Sequence, residues 1–501
     1  MDAFAQALGL VANGQTLAVI LLASLFGLFV GSMPGLTATM AAALLVPVTF
    51  YMDPVPAIAA IISCTAMAIT AGDIPGALLR IPGTPASAAY VEEAYGLTRK
   101  GKASLAIGIS ITSASFGGLI GFCVLMVAAP ALARFALNFS SFEYFWLAVL
   151  GLSCAALVSS GGVAKGVLSL LLGLFIAQIG LDPLMGTPRF TFGSSELAGG
   201  ISFIPAMIGM FALAEILRSV RGGPAMTPQA KVGNPFAGVF TELMRWRLNL
   251  FRGAGIGSII GALPGVGGDL GAWVTYAIAK KTSKTPEKFG TGHPEGLVEA
   301  GATNNAALSS AWIPAMVFGI PGDAVTAIAV GVLYMKGMEP GPSLLTVNPQ
   351  NFYAVMIVFV IANLLLLPLG YLAARCARYI FQVPRSYLNA AVLLFCIVGS
   401  YAINNSMFGV VVMIALGVIA WILEAHRFAI APIILGIVLG PLVEQNFTTS
   451  MMIARGDPMA FFDRPIAAVL GIVTLAIWGA VLVSALVRAL RRRPAPQPTE
   501  L

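Results

Sequence analysis

Two proline-glycine segments recur as a pair, twice along this chain and each time inside apolar sequence, and they restrict what it can fold into. The first copy reads GLFVGSMPG (Gly27 to Gly35), followed by IPGALLRIPG (Ile74 to Gly83). The second reads GSIIGALPG (Gly257 to Gly265), followed by IPAMVFGIPG (Ile313 to Gly322). Gly35 and Gly265 are offset by 230 residues, Gly83 and Gly322 by 239, and the Ile-Pro steps are seven residues apart in both copies. Proline removes a backbone donor and stops a helix, while glycine permits turns that other residues resist. In lipid the freed backbone groups need partners within protein or in a water-filled cavity. Interrupted apolar segments at matching positions of two halves point to the binding site of a secondary transporter.

The apolar setting follows from composition. Of 501 residues, 58% are hydrophobic and only 10% charged, against about 25% charged in soluble domains. The chain reads as an integral membrane protein, with spans over 104–134, 142–160, 163–181, 201–217, 352–373, 388–404, 407–424, 429–446 and 465–487. The net charge of +7 concentrates at span ends, which indicates topology and not nucleic acid. Cys64, Cys123, Cys154, Cys376 and Cys396 form no CxxC and read as packing residues. With only His293 and His426, a three-histidine metal site is excluded. Residues 1–79 contain no Lys or Arg, so a cleavable signal peptide is not expected.

Cytoplasmic loops concentrate Lys and Arg. Placing the clusters at 99–102, 218–252, 280–288, 375–385 and 488–493 inside makes span 104–134 run outward and its counterpart 352–373 run inward. The segment 253–280 becomes a hairpin, the N-terminus periplasmic and the C-terminus cytoplasmic. The expected fold class is an all-α polytopic membrane protein of two inverted-topology repeats with broken or re-entrant helices, with about 11 net crossings plus hairpins. The expected division is repeat 1 over 1–217, a cytoplasmic linker over 218–252, repeat 2 over 253–446, an extra span over 447–488 and a disordered tail over 489–501.

Each Pro-Gly step leads to a candidate helix N-cap: Pro34-Gly35 to Thr37, Pro82-Gly83 to Thr84, Pro264-Gly265 to Asp269 and Pro321-Gly322 to Asp323. A helix N-terminus carries about half a unit of positive charge and unpaired N–H groups. Several such ends meeting mid-membrane would form an anion site. The alternative is four ordinary loop closures at the membrane surface, which two matched pairs within apolar sequence disfavour. Candidate substrate-binding residues are Pro34, Gly35, Thr37, Arg80, Pro82, Gly83, Thr84, Ser87, Pro264, Gly265, Gly267, Asn304, Asn305, Pro321 and Gly322. Arg80 suits bidentate carboxylate recognition, or it snorkels or pairs with Asp73. Asp269 and Asp323 are candidates for a coupling ion, Na+ or H+, or are plain caps. Asn304 and Asn305 bind substrate or ion, or satisfy freed backbone groups.

These segments, with RKGKASLAIG and FGTGHPEGLVEAGATNNAALSSAWIPAMVFGIPGDAVTAIAVGVLYMKGMEPGP, resemble the large permease subunit of the tripartite tricarboxylate transporters over nearly the whole chain. The resemblance implies a bacterial inner-membrane secondary transporter. Its partners would be a small four-span membrane subunit and a periplasmic solute-binding protein, its cargo a small organic anion, and its drive an ion gradient. The chain departs from the family pattern at Thr70 to Asp73 (TAGD), at Arg80 and at Gly301, so substrate identity and ion-site detail do not transfer. No cofactor is expected. An alternative is the membrane component of an ATP-driven importer. No phosphate loop, HExxH or GxSxG occurs, which speaks against an ATPase or an enzyme within this chain.

Overall fold

The apolar stretches fold as helices because a backbone in a low-dielectric surrounding must bond to itself. The computed structural model describes residues 2–159, 161–182, 185–219, 232–382, 385–403 and 405–491. The first half comprises α1 (Asp2–Val11), α2 (Gly14–Ser32), α3 (Ala38–Thr49), α4 (Pro54–Ala71), α5 (Asp73–Leu79), α6 (Val91–Arg99), α7 (Ala103–Ala136), α8 (Ser141–Leu157), α9 (Val163–Ala177), α10 (Ser195–Ala198), α11 (Phe203–Met207) and α12 (Ala214–Ser219). A π-helical turn, Ile208–Leu213, joins α11 to α12. The second half comprises α13 (Val239–Arg245), α14 (Arg247–Gly261), α15 (Gly267–Thr282), α16 (Pro294–Phe318), α17 (Ala324–Met335), α18 (Pro342–Thr346), α19 (Pro349–Ile380), α20 (Arg385–Ala402), α21 (Met407–Ala425) and α22 (Ala431–Ile453), with α23 (Pro465–Arg491) beyond it. Two two-residue strands, Gly180–Leu181 and Pro188–Arg189, pair antiparallel in one loop. The protein is an all-α polytopic membrane protein: among the described residues, seven helices are long and apolar enough to cross a membrane and five shorter apolar helices accompany them.

The internal repeat is visible in the packing. In the first half Gly27 sits against the backbone of Cys64 and Gly31 against that of Ala68. In the second, Gly257 sits against Thr303 and Gly261 against Ala307, the positions equivalent under the offsets of 230 and 239. The absence of a side chain brings α2 onto α4, and α14 onto α16, at backbone contact. Both pairs advance in the same sense, so the partners run parallel. Gly117 and Gly121 of α7 meet Ala302 and Ala306 in the same way, so α7 runs parallel to α16.

The counterparts α7 and α19 run against each other. Ser115 Oγ donates to the Asn363 carbonyl at 2.6 Å, whereas Ile111, one turn earlier, packs on Gly370, two turns later. The starts of α7, α14 and α16 and the end of α19 therefore share one end of the bundle. That end collects Arg99, Lys100, Lys102, Arg247, Lys280, Lys281, Lys284, Lys288, Arg375 and Arg378. The start of α1 lies at the opposite end, where Phe4 meets Tyr353 at the head of α19, ring centroids 6.1 Å apart.

Some expected boundaries shift. Residues 220–231 of the linker and 492–501 of the tail lie outside the described residues. Residues 232–238 of the linker are coil and turn, whereas Val239–Arg245 is helical and α14 begins within the linker at Arg247, where Leu250 is buried and Arg252 reaches Glu299. Helix α22 continues through 446 to Ile453. The final helix docks on α8: Arg464 Nε donates to Glu143 Oε1 at 2.6 Å and Trp478 Nε1 to Ser153 Oγ at 2.9 Å.

Candidate functional site

In each copy the second break folds as a helix that stops, a short extended return, and a second arm. After α5 the chain turns at Arg80 (φ 59°), and Ile81 N donates back to the Pro75 carbonyl at 3.4 Å. After α16 it turns at Gly319 (φ 69°), and Ile320 N donates to the Pro314 carbonyl at 3.2 Å. These are equivalent positions in a left-handed C-terminal cap, which glycine enters freely and arginine only at a cost of about 1 kcal/mol. The return segments then seat alike. Gly83 packs on Gly72, with its N–H on the Gly72 carbonyl at 3.1 Å, and Gly322 packs on Ala311.

All four breaks reach one cavity of about 70 Å³, room for several waters. The first supplies Thr37, Ala38 and Thr39, the second Thr84 and Pro85, the third Gly268 and Asp269, and the fourth Asp323, Ala324 and Val325. Ile69, Asn304 and Leu308 complete the wall. Asn304 lies ten residues into α16, about 15 Å along its axis, half the ~30 Å hydrocarbon thickness.

The local chemistry fixes these tips. Thr37 caps α3, its Oγ1 accepting from Met40 N at 3.2 Å. Asp323 caps α17, its Oδ1 accepting from Thr326 N at 2.7 Å and from Thr326 Oγ1 at 2.8 Å. Asp269 does not cap its own helix: Gly265 (φ 77°) and Gly267 (φ 70°) turn the chain early, and α15 starts at Gly267. Asp269 Oδ1 instead accepts from Ala86 N, in the other half, at 3.1 Å. Thr84 and Ser87 cap each other through two N–H to hydroxyl bonds of 3.1 and 3.0 Å, followed by a 3₁₀ turn and not an α-helix. The bonds to Asp269 and Asp323 engage Oδ1 of each. The cavity walls thus combine two carboxylates, an amide and threonine hydroxyls. Among the described residues that line it, none is Lys, Arg or His.

The tripartite tricarboxylate transporter TctA family matches residues 17–435. An Agrobacterium vitis protein named "Uncharacterized 52.8 kDa protein in TAR-I ttuC' 3'region" is 35% identical over 470 residues, covering 94% of this chain and 93% of that protein. A second, "Uncharacterized protein in TAR-II ttuC' 3'region" from the same organism, is 37% identical over 212 residues, 42% of this chain and 88% of that one. The chain belongs to the tripartite tricarboxylate transporter family. No solved structure matches it.

Several candidate residues stand behind or away from the family member's cavity. Arg80 is exposed and pairs with Glu92 at 2.8 Å. It shares a separate cavity of about 440 Å³ with Arg99 and Lys100 at the cation-rich end, and it does not pair with Asp73. Pro34 and Gly35 line a third cavity, of about 200 Å³, with Glu215, Arg218 and Asn389. Pro82, Gly83, Pro264, Gly265, Pro321 and Gly322 shape the returns without lining the central cavity; Gly265 packs on Gly151 and Ala155 of α8. Gly267 backs onto Asp323. Asn305 turns to α4, accepting from Thr70 Oγ1 at 3.2 Å and donating to the Ala66 carbonyl at 3.5 Å. Ser87 is buried beneath Thr84.

Two residues that sequence reasoning did not single out hold the site. Tyr90, fully buried, donates to Asp73 Oδ1 at 2.8 Å and accepts from Asn304 Nδ2 at 3.4 Å. Glu93, also fully buried, accepts from Tyr276 OH (2.8 Å), Gly290 N (2.5 Å), Gly292 N (2.9 Å) and His293 N (2.7 Å). It ties α6 to α15 and to the head of α16. The motif around it, YVEEAYG, carries no local signal for this, because its partners lie about two hundred residues downstream.

Proposed function

We propose that this chain is the large membrane subunit of an ion-gradient-driven importer of a small organic di- or tricarboxylate. A periplasmic binding protein delivers the substrate, and a small four-span membrane subunit completes the assembly. One observation carries the reading: a cavity walled by all four breaks holds two carboxylates and no basic side chain. A carboxylate substrate about 6 Å from each aspartate would meet roughly 3 kcal/mol of repulsion per charge pair at an effective dielectric of 20. Cations bound alongside remove that penalty. Asp269, Asp323 and the oxygens of Thr37, Thr84 and Asn304 suit a hard monovalent cation or protons, while the N-termini of α3, α15 and α17 suit the substrate carboxylates. Loading would then require both partners, which is the coupling a symporter needs.

The cation-rich end supports a cytoplasmic placement of that face by the positive-inside rule. The N-terminus is then periplasmic, the C-terminus cytoplasmic, and the host membrane a bacterial inner membrane. The antiparallel α7 and α19 support a division into inverted repeats.

The test is reconstituted uptake. Proteoliposomes carrying both membrane subunits, supplied with the binding protein and radiolabelled dicarboxylates or tricarboxylates, should accumulate substrate only under an inward Na+ or H+ gradient and without ATP. Uptake that needs ATP and a partner ATPase would establish the ATP-driven alternative, and flux without any gradient would make the protein a channel.

A further inference from the structure

The cation-rich end holds another cavity, of about 760 Å³, between the α13–α14 junction and the loop from α15 to α16. Arg245, Arg247, Lys284 and Lys288 line it, together with Arg252 and a single carboxylate, Glu295. Arg252 is engaged by Glu299 at 2.8 and 2.5 Å. Glu295 accepts from Asn249 and Ser283. Among the described residues, none of the other four cations forms an ion pair. Trp246 lines the same space, and its buried indole N–H has no acceptor. Four cations that converge without an ion-pair partner, beside an orphaned donor, make a site for an anion with several acceptor oxygens.

The surroundings identify which anion. Phe240, Met244, Leu248 and Phe251 recur every three or four residues through α13 and α14, and are 74%, 45%, 79% and 55% exposed. Met244 and Leu248 are themselves part of the cavity wall. A soluble phosphate would meet the cations and leave this apolar row in water. A lipid phosphate meets the cations and lays its acyl chains along the row. We propose that this cavity binds the phosphodiester headgroup of an anionic phospholipid.

The full chain, reconstituted in nanodiscs of phosphatidylcholine alone or mixed with phosphatidylglycerol, is released into detergent and weighed by native mass spectrometry. The expected result is retained phosphatidylglycerol. Each cation removed in Arg247→Gln/Lys284→Gln should weaken retention about fivefold. Lys280→Gln/Lys281→Gln, which removes the same charge outside the cavity, should leave it unchanged. Lys288→Gln, in an exposed loop, serves as a single-site variant should the double variant fail to fold. Equal loss in both pairs, loss in neither, or displacement of the lipid by inorganic phosphate would overturn the proposal.

Discussion

Asp269 and Asp323 carry the most weight among single residues, because each offers a carboxylate to the cavity while one of its oxygens is already bonded. Asp323→Asn keeps the cap of α17, since an amide oxygen also accepts from Thr326 N. Its expected effect is a loss of the Na+ or pH dependence of uptake with little change in thermal stability; an unaltered ion response would reduce Asp323 to a cap. Arg80 is expected to matter less than its charge suggested. It turns the chain where its counterpart is Gly319, so Arg80→Gly relieves a left-handed strain of about 1 kcal/mol and should leave KM unchanged in the uptake assay. A tenfold rise would return the guanidinium to substrate contact. Glu93→Ala strands one hydroxyl and three backbone N–H groups, and should cost about 2–4 kcal/mol, seen as a lower melting temperature in detergent. The N-caps Thr37 and Asp323 were legible in the sequence because a cap and its helix are neighbours. The roles of Asp269, Tyr90 and Glu93 were not, because each bonds across about two hundred residues or sits in a turn set by glycine φ angles.

At the scale of the helices, the broken hairpins were readable because proline and glycine act locally. The helix that follows a break can be read from its own residues, whereas the tight pairing of α2 with α4, or α14 with α16, depends on which glycines face a partner. Gly257 and Gly255 lie on the same helix, and the pair gives a direct test. A side chain at Gly257 would drive into the backbone of Thr303, whereas nothing lies within 4 Å of one at Gly255. Gly257→Val should lose more than about 3 kcal/mol through overpacking and elute as aggregate in size-exclusion chromatography. Gly255→Ala should elute as the parent does, and equal behaviour of the two would contradict the packing described.

At the scale of the whole molecule, basic residues gather at one end of the bundle and the first helix starts at the other. Lys100→Cys and Glu339→Cys, made in a background without the native cysteines, should react with an impermeant maleimide from opposite faces of intact cells or inverted vesicles; labelling from one face would refute the inverted arrangement. The apolar helices were legible because hydropathy is a property of composition. The meeting of the four breaks at one cavity was expected from their matched Pro-Gly steps; which side chains wall it was not, since that depends on how the tips pack side by side.

With no side-chain cushion between α2 and α4, or between α16 and its neighbours α7 and α14, these helices cannot slide past one another without collisions along the whole seam. Each set therefore forms one solid block. Under the proposed function, the freedom to admit cargo from one face and release it at the other would fall to the short arms beyond the breaks, and to the joint where the two blocks meet.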